Sequence, residues 1–225
     1  MSKLKNMNTE ISTAQNYETE NHPDPSDGFF PTNPTSIIIG TFPPVLKTEE
    51  QKKNFFYYPS SRNSFWKILG DTFSVPLCNE DLTWDEKVKL RKDFLSKNRI
   101  AMTDMILKCK RQIKDSSEDK DLEVIVTRDI RRILSEHITI NTIYLTSGKS
   151  TNGAEQLFRR SISIKGKNSY YLPSKGTNDP KVIETELCDR KINIITLPSP
   201  SHRNGISDEK KKEQYKKYFR LNSTI

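Results

Sequence analysis

The sequence predicts an α/β fold, a three-layer sandwich in which helices cover both faces of a parallel sheet. Two observations carry this. Four short runs are almost continuously apolar, as strands buried on both faces are, and helical patterns separate them. The runs are Ser36-Ile37-Ile38-Ile39, Ile100-Ala101-Met102-Thr103, Thr142-Ile143-Tyr144-Leu145 and Ile192-Asn193-Ile194-Ile195-Thr196. Residues 61–73 set Phe65, Trp66, Ile68, Leu69 and Phe73 at helical spacing, with Asn63 or Ser64 as cap. Residues 84–96 repeat the pattern with Trp84, Val88, Leu90 or Arg91, and Leu95. Residues 127–136 place Ile130, Ile133 and Leu134 behind a Thr127 cap, and 150–161 and 208–220 complete the set. No internal repeat is visible.

A chain of 225 residues has room for one such domain with a real core. Its hydrophobic fraction is 33%, its charged fraction 29%, and its net charge +8 with a pI near 9.3, which favours a polyanionic partner. The charge is uneven. The first 35 residues hold two Lys against five acidic residues, so the excess of positive charge lies in the rest. Residues 1–27 are polar, without an apolar period, so an acidic, poorly structured arm is expected over residues 1–34, pinned at Phe29-Phe30, with a single domain over 35–225. No apolar run is long enough to span a membrane and the first residues lack a secretory pattern, so the expectation is a soluble cytoplasmic protein. Cys78, Cys109 and Cys188 lack any CxxC spacing and read as buried or half-buried thiols rather than a disulfide framework. His22, His137 and His202 are too scattered for a zinc signature, and no metal or cofactor is expected.

Ligands of open parallel sheets bind at the carboxyl ends of the strands. Gly40-Thr41-Phe42-Pro43-Pro44 follows the first strand and is no phosphate loop, since it matches neither GxxxxGK[ST] nor GxGxxG. Its prolines make either a stiff wall or an ordinary exit turn. Asp104 follows the second strand. In Tyr57-Tyr58-Pro59-Ser60-Ser61-Arg62-Asn63-Ser64-Phe65-Trp66, Phe65 and Trp66 belong to the core. Tyr57 and Tyr58 are core or a stacking surface, and Asn63 is a helix cap or an amide for a base edge or a water. After the fourth strand, Leu197-Pro198-Ser199-Pro200-Ser201-His202-Arg203-Asn204 is either a solvent loop or a rigid element that presses on a phosphodiester.

Taken together, these stretches resemble the uracil-DNA glycosylase superfamily, in particular the branch of mismatch-specific uracil and hypoxanthine-DNA glycosylases. Gly40-Thr41-Phe42-Pro43 is similar to that branch's first motif, and Leu197-Pro198-Ser199-Pro200-Ser201 to the Leu-Pro-Ser-x-Ser of its second. Tyr57 to Trp66 is similar to its Tyr-Tyr-Ala-His-Pro-Arg-Asn-x-Phe-Trp segment, and Ile100 to Lys114 more weakly to its second-strand exit. The likeness runs from about residue 35 to 220. It implies a three-layer α/β/α sandwich around a four-stranded parallel sheet, in a monomeric, monofunctional base-excision-repair hydrolase that flips a deaminated base (uracil, hypoxanthine or xanthine) out of damaged or mismatched double-stranded DNA. It also implies the roles. Asn63 is the catalytic amide; Gly40, Thr41, Phe42, Pro43, Tyr58 and Asp104 form the base pocket; Pro198, Ser199, Pro200, Ser201, His202, Arg203 and Asn204 form the backbone and wedge loop. Ser60-Ser61 replaces the family's His-Pro, and Leu197 stands where fast uracil-specific enzymes carry His. Those departures motivate a second expectation, a non-catalytic DNA-binding member of the same fold.

Overall fold

The computed structural model describes residues 18–148, 150–162 and 181–220. In chain order the strands are β1 (Thr19–Asn21), β2 (Ser36–Gly40), β3 (Ile100–Asp104), β4 (Ile106–Arg111), β5 (Leu122–Thr127), β6 (Thr142–Leu145), β7 (Lys181–Leu187) and β8 (Arg190–Thr196). The helices are α1 (Glu49–Lys53), α2 (Phe65–Phe73), α3 (Trp84–Lys97), α4 (Ile130–Glu136), α5 (Ala154–Ile162) and α6 (Asp208–Arg220).

The four expected strands pair in parallel in the order β3-β2-β6-β8. Ile37 and Ile39 of β2 join one core with Ile133 and Leu134 of α4 and Leu157 and Phe158 of α5. Ile38 joins the other core with Trp66 and Leu69 of α2, Val88 and Leu95 of α3, and Tyr215 and Phe219 of α6. Alternate residues of one strand thus feed opposite helical layers, which is why the run is apolar throughout. In α3 a capping box between Thr83 and Glu86 starts the helix. Its Arg91 is buried with the guanidinium 4.9 Å from the Trp66 ring and 5.4 Å from Trp84.

The structure corrects the expected sheet. It has five strands, because β7 adds to β8 in antiparallel fashion, and a second antiparallel sheet has the order β1-β4-β5. Strand β7 alternates between solvent and protein, with Val182, Glu184 and Glu186 exposed, so it lacks the continuous apolarity of its neighbours. Its hairpin turns at Cys188-Asp189, both with φ near +55° (52° and 58°). That mirror-image turn is usually announced by Asn-Gly or Asp-Gly, and here neither occurs. Helix α4 starts later than expected: Thr127 ends β5, and the Asp129 side chain accepts from Arg132 N at 3.1 Å instead. Cys78 is exposed rather than buried.

Of the acidic arm expected over residues 1–34, residues 1–17 lie outside the described residues. Glu18–Pro34 lie against the domain: β1 pairs with β4, and Phe29 bridges to Met102 of β3. Polar groups carry this segment rather than an apolar period. His22 and Arg128 are buried against it, and Arg128 donates to the carbonyls of Asp24 and Ser26.

The central position of β6 and the surface position of the α4 cap rank their costs. Ile143→Ala, at a fully buried site, is expected to cost about 2–5 kcal/mol in urea unfolding, and Asp129→Ala about 1 kcal/mol.

Candidate active site

The carboxyl ends of β2, β3 and β6 meet at one place. The parallel register sets Gly40 opposite Asp104. A Cβ at Gly40 would collide with Asp104 Oδ1 and lie 2.9 Å from the Tyr58 hydroxyl. Only glycine lets these two side chains close over the strand end. Tyr58 has φ of 53°, a left-handed conformation unusual for a bulky residue. It stacks on Phe65 at 4.1 Å and its hydroxyl lies 2.6 Å from Thr146 Oγ1. Burial, reinforced by the charge of Asp104, lifts its phenol well above the ordinary range.

Asp104 is buried and shared with the N-terminal segment. His22 Nδ1 receives the Asp24 N–H at 3.0 Å and faces Arg128 Nη2 at 3.2 Å. The nearby Asp24 carbonyl is taken by Arg128 Nη2 at 2.8 Å. The ring lies between two acceptors, with Nε2 3.0 Å from Asp104 Oδ2 and Nδ1 2.8 Å from the Asp24 carbonyl. The Arg128 Nε donates to the Asp104 carbonyl at 3.1 Å.

Thr41 joins the other side of the site. Its hydroxyl lies 3.1 Å from Ser147 Oγ at the end of β6 and donates to Asp119 Oδ2 at 3.1 Å. Asp119 belongs to a 3₁₀ turn between β4 and β5, held by Asn152 Nδ2, which donates to its carbonyl at 3.1 Å. Burial raises the Asp119 pKa to about 7; the Thr41 hydrogen bond opposes this and the Asp104 charge adds to it.

Asn63 sits at the start of α2. Its Oδ1 accepts from Phe65 N at 2.9 Å, one residue ahead of the cap residue Ser64, whose own side chain makes no cap bond, and among the described residues its amide nitrogen has no hydrogen-bond partner. Asn63 also forms a backbone bridge with Ser201. Ser64 N donates to the Pro200 carbonyl at 3.1 Å, and Ser64 Oγ to Asp208 at 2.7 Å. From the other side, the buried Lys211 donates to the Ser201 carbonyl at 3.0 Å, and Tyr215 OH to the Pro198 carbonyl at 3.1 Å. Asn204 Nδ2 closes the loop on the Ser199 carbonyl at 2.7 Å. At its apex His202 and Arg203 are exposed, and Arg203 lies 3.3 Å from Glu118.

Gly40, Thr41, Tyr58 and Asp104 are therefore brought together. Asn63 and residues 198–204 form a second unit. Phe42 and Pro43 turn to a neighbouring cleft of about 410 Å³, lined also by Pro44, Leu46, Lys52 and Arg111. There Arg111 lies over the Phe42 ring at 5.6 Å and donates to the Pro43 carbonyl at 2.9 Å. Sequence reasoning missed His22 and Asp119. Each lies in a polar stretch with no local motif and reaches the site only through pairing 82 and 78 residues away. Among the described residues no group of three metal-ligating side chains occurs, and no helix is long and apolar enough to cross a membrane.

The family model of the uracil DNA glycosylase superfamily matches residues 28–221. The chain belongs to that superfamily. No curated protein matches the chain. Members of the superfamily generally hydrolyse N-glycosyl bonds in DNA, and the matched span contains Gly40, Thr41, Tyr58, Asp104 and Asp119 together with the loop after β8, while His22 precedes it.

The strand-end cluster depends on a close approach that no side chain at position 40 can share. Gly40→Ala is expected to destabilise the protein by about 1–3 kcal/mol. It should also release the stacked Tyr58, read as increased tyrosine fluorescence quenching by acrylamide.

Proposed function

We propose that this chain is a monofunctional DNA glycosylase of the branch that holds the mismatch-specific uracil and hypoxanthine enzymes, acting as a cytoplasmic monomer on duplex DNA, with residues 35–225 as its single domain. It extrudes a deaminated base (uracil, hypoxanthine or xanthine) and leaves an abasic site. The observation that carries this reading is the Asn63–Ser201 bridge. It makes the amide that handles water and the loop that enters the duplex one mechanical unit.

The chemistry follows from the groups present. As the C1′–N bond breaks, its electron pair leaves with the base and the sugar becomes oxocarbenium-like; one water then adds to C1′. Tyr58 offers the base the ring face away from Phe65, Thr41 offers a hydroxyl, and the Asn63 amide nitrogen orients the water. Residues 198–204 compress the backbone, and His202 and Arg203 at the exposed apex occupy the gap. Extrusion costs a few kcal/mol and least at mismatched pairs, which favours damaged sites.

Labelled duplexes containing uracil, hypoxanthine, xanthine or thymine test the reading under single-turnover conditions with alkali cleavage. Product on at least one deaminated base is expected, falling about 10²-fold or more in Asn63→Ala, with duplex affinity kept. The Ser60, Ser61 and Leu197 departures, and the bond of Asn63 Oδ1 to Phe65 N, favour the second reading of a non-catalytic DNA binder. A blank panel with intact, salt-sensitive binding would establish that instead.

Binding itself has a separate signature. Arg203→Ala is expected to weaken duplex binding evenly across sequences and to reduce the slope of log K against log salt by about 1.

A further inference from the structure

We propose that Asp119 is the general base of this site, a role that rests on the glycosylase reading above. Asn63 can orient a water but cannot take its proton, because an amide is a negligible base. A nucleophilic water needs an acceptor beside it, and two carboxylates, Asp104 and Asp119, belong to the cluster at the strand ends. Asp104 is committed: its Oδ2 lies 3.0 Å from His22 Nε2, its Oδ1 packs against Gly40, and Arg128 flanks it. Among the described residues, the hydrogen bond to the Asp119 carboxylate comes from Thr41 through Oδ2. Its second oxygen is left for a water.

The placement is suited to the task. Asp119 is tied to the first-motif loop through Thr41 and to the β6–α5 connection through Asn152. Its neighbour Glu118 reaches Arg203 in the loop that bridges to Asn63. The loop of residues 198–204 is therefore joined both to the Asp119 turn and to Asn63. In the step, the water oxygen bonds to C1′ while one water proton passes to Asp119. The C1′–N electron pair has gone to the base. Asp119 then returns the proton to the departing base or to solvent, giving free base, abasic sugar and the original carboxylate. Its pKa of about 7 leaves it able both to take and to release that proton near neutral pH.

The groups facing Asp119 are Thr41 on the loop after β2, Asp104 at the end of β3 with His22 bonded to it, and Tyr58 before α2. Asn152 packs from the β6–α5 connection, and Glu118, Lys120 and Asp121 flank it on its own turn with Arg203 beyond Glu118. The Asp104 charge raises the Asp119 pKa and the Thr41 hydrogen bond lowers it.

Asp119→Asn is the decisive variant, because an amide oxygen still accepts the Thr41 hydroxyl and a purely structural role survives. On whichever lesion the wild type cleaves, its single-turnover rate is expected to rise with pH through an inflection near 7. Asp119→Asn is expected to lose about 10²–10⁴-fold and the inflection with it, with unchanged duplex affinity. Thr41→Val, which removes the bond favouring the charged form, is expected to move the inflection upward. A second readout needs no activity. The folded protein holds the proton between the ordinary aspartate pKa and about 7, so stability contributed at acid pH is lost as pH rises through that window. Asp119→Asn should therefore raise the melting temperature more at pH 8 than at pH 5. An active wild type with Asp119→Asn within threefold and of the same pH profile overturns this assignment and leaves the glycosylase reading intact. An unmoved inflection in Thr41→Val, or a melting difference independent of pH, also overturns it. A wild type inactive on every lesion overturns both.

Discussion

The contact between Gly40 and the Asp104 carboxylate is the constraint on which the site depends. Parallel pairing sets the two residues side by side at the ends of β2 and β3, and the missing side chain at position 40 lets a charged group lie flat against the backbone. A buried carboxylate is costly unless it is bonded. This one draws in His22 from the N-terminal segment and Arg128 from the stretch before α4. Those partners in turn order residues 22–28, which have no apolar reason to fold. The same approach leaves room for the Tyr58 hydroxyl and so sets the strained backbone of that residue. One absent methyl group thus organises a strap, a stacked ring and a charge cluster.

Asn63 ties the start of helix α2 to the loop after β8. Its carbonyl end fixes the first turn of α2, and its backbone is joined to Ser201. Helix α6 clamps that loop from behind through Lys211 and Tyr215. A buried lysine at this point is stable because the Ser201 carbonyl and the Asp208 carboxylate share its protons. The rigidity of the loop comes from a helix packed on it as much as from Pro198 and Pro200.

What was legible in the sequence follows from how each feature is encoded. The four parallel strands were readable because burial on both faces makes them continuously apolar, and the run from 208 to 220 was a helix end to end. Strand β7 escaped because one side of it meets solvent, and its Cys188-Asp189 turn uses residue types that do not announce a left-handed pair. Gly40, Asp104 and Pro198 to Asn204 were singled out by their position after strands. Phe42 and Pro43 were grouped with them by adjacency; beyond the end of β2 they line the neighbouring cleft with Arg111. His22 and Asp119 carried no signal, since hydrogen-bonded polar residues in polar stretches look like any solvated segment.

The long separations that bind the site together have a consequence for how it comes into being. His22 meets Asp104 across 82 residues, Tyr58 meets Thr146 across 88, and Ser64 meets Asp208 across 144. Closing such loops costs entropy before any of these contacts rewards it, as does the parallel pairing of Ser36 in β2 with Thr142 in β6. His22, Tyr58, Ser64, Asp104, Thr146 and Asp208 meet only through these long-range contacts, so the candidate site is a property of the whole fold.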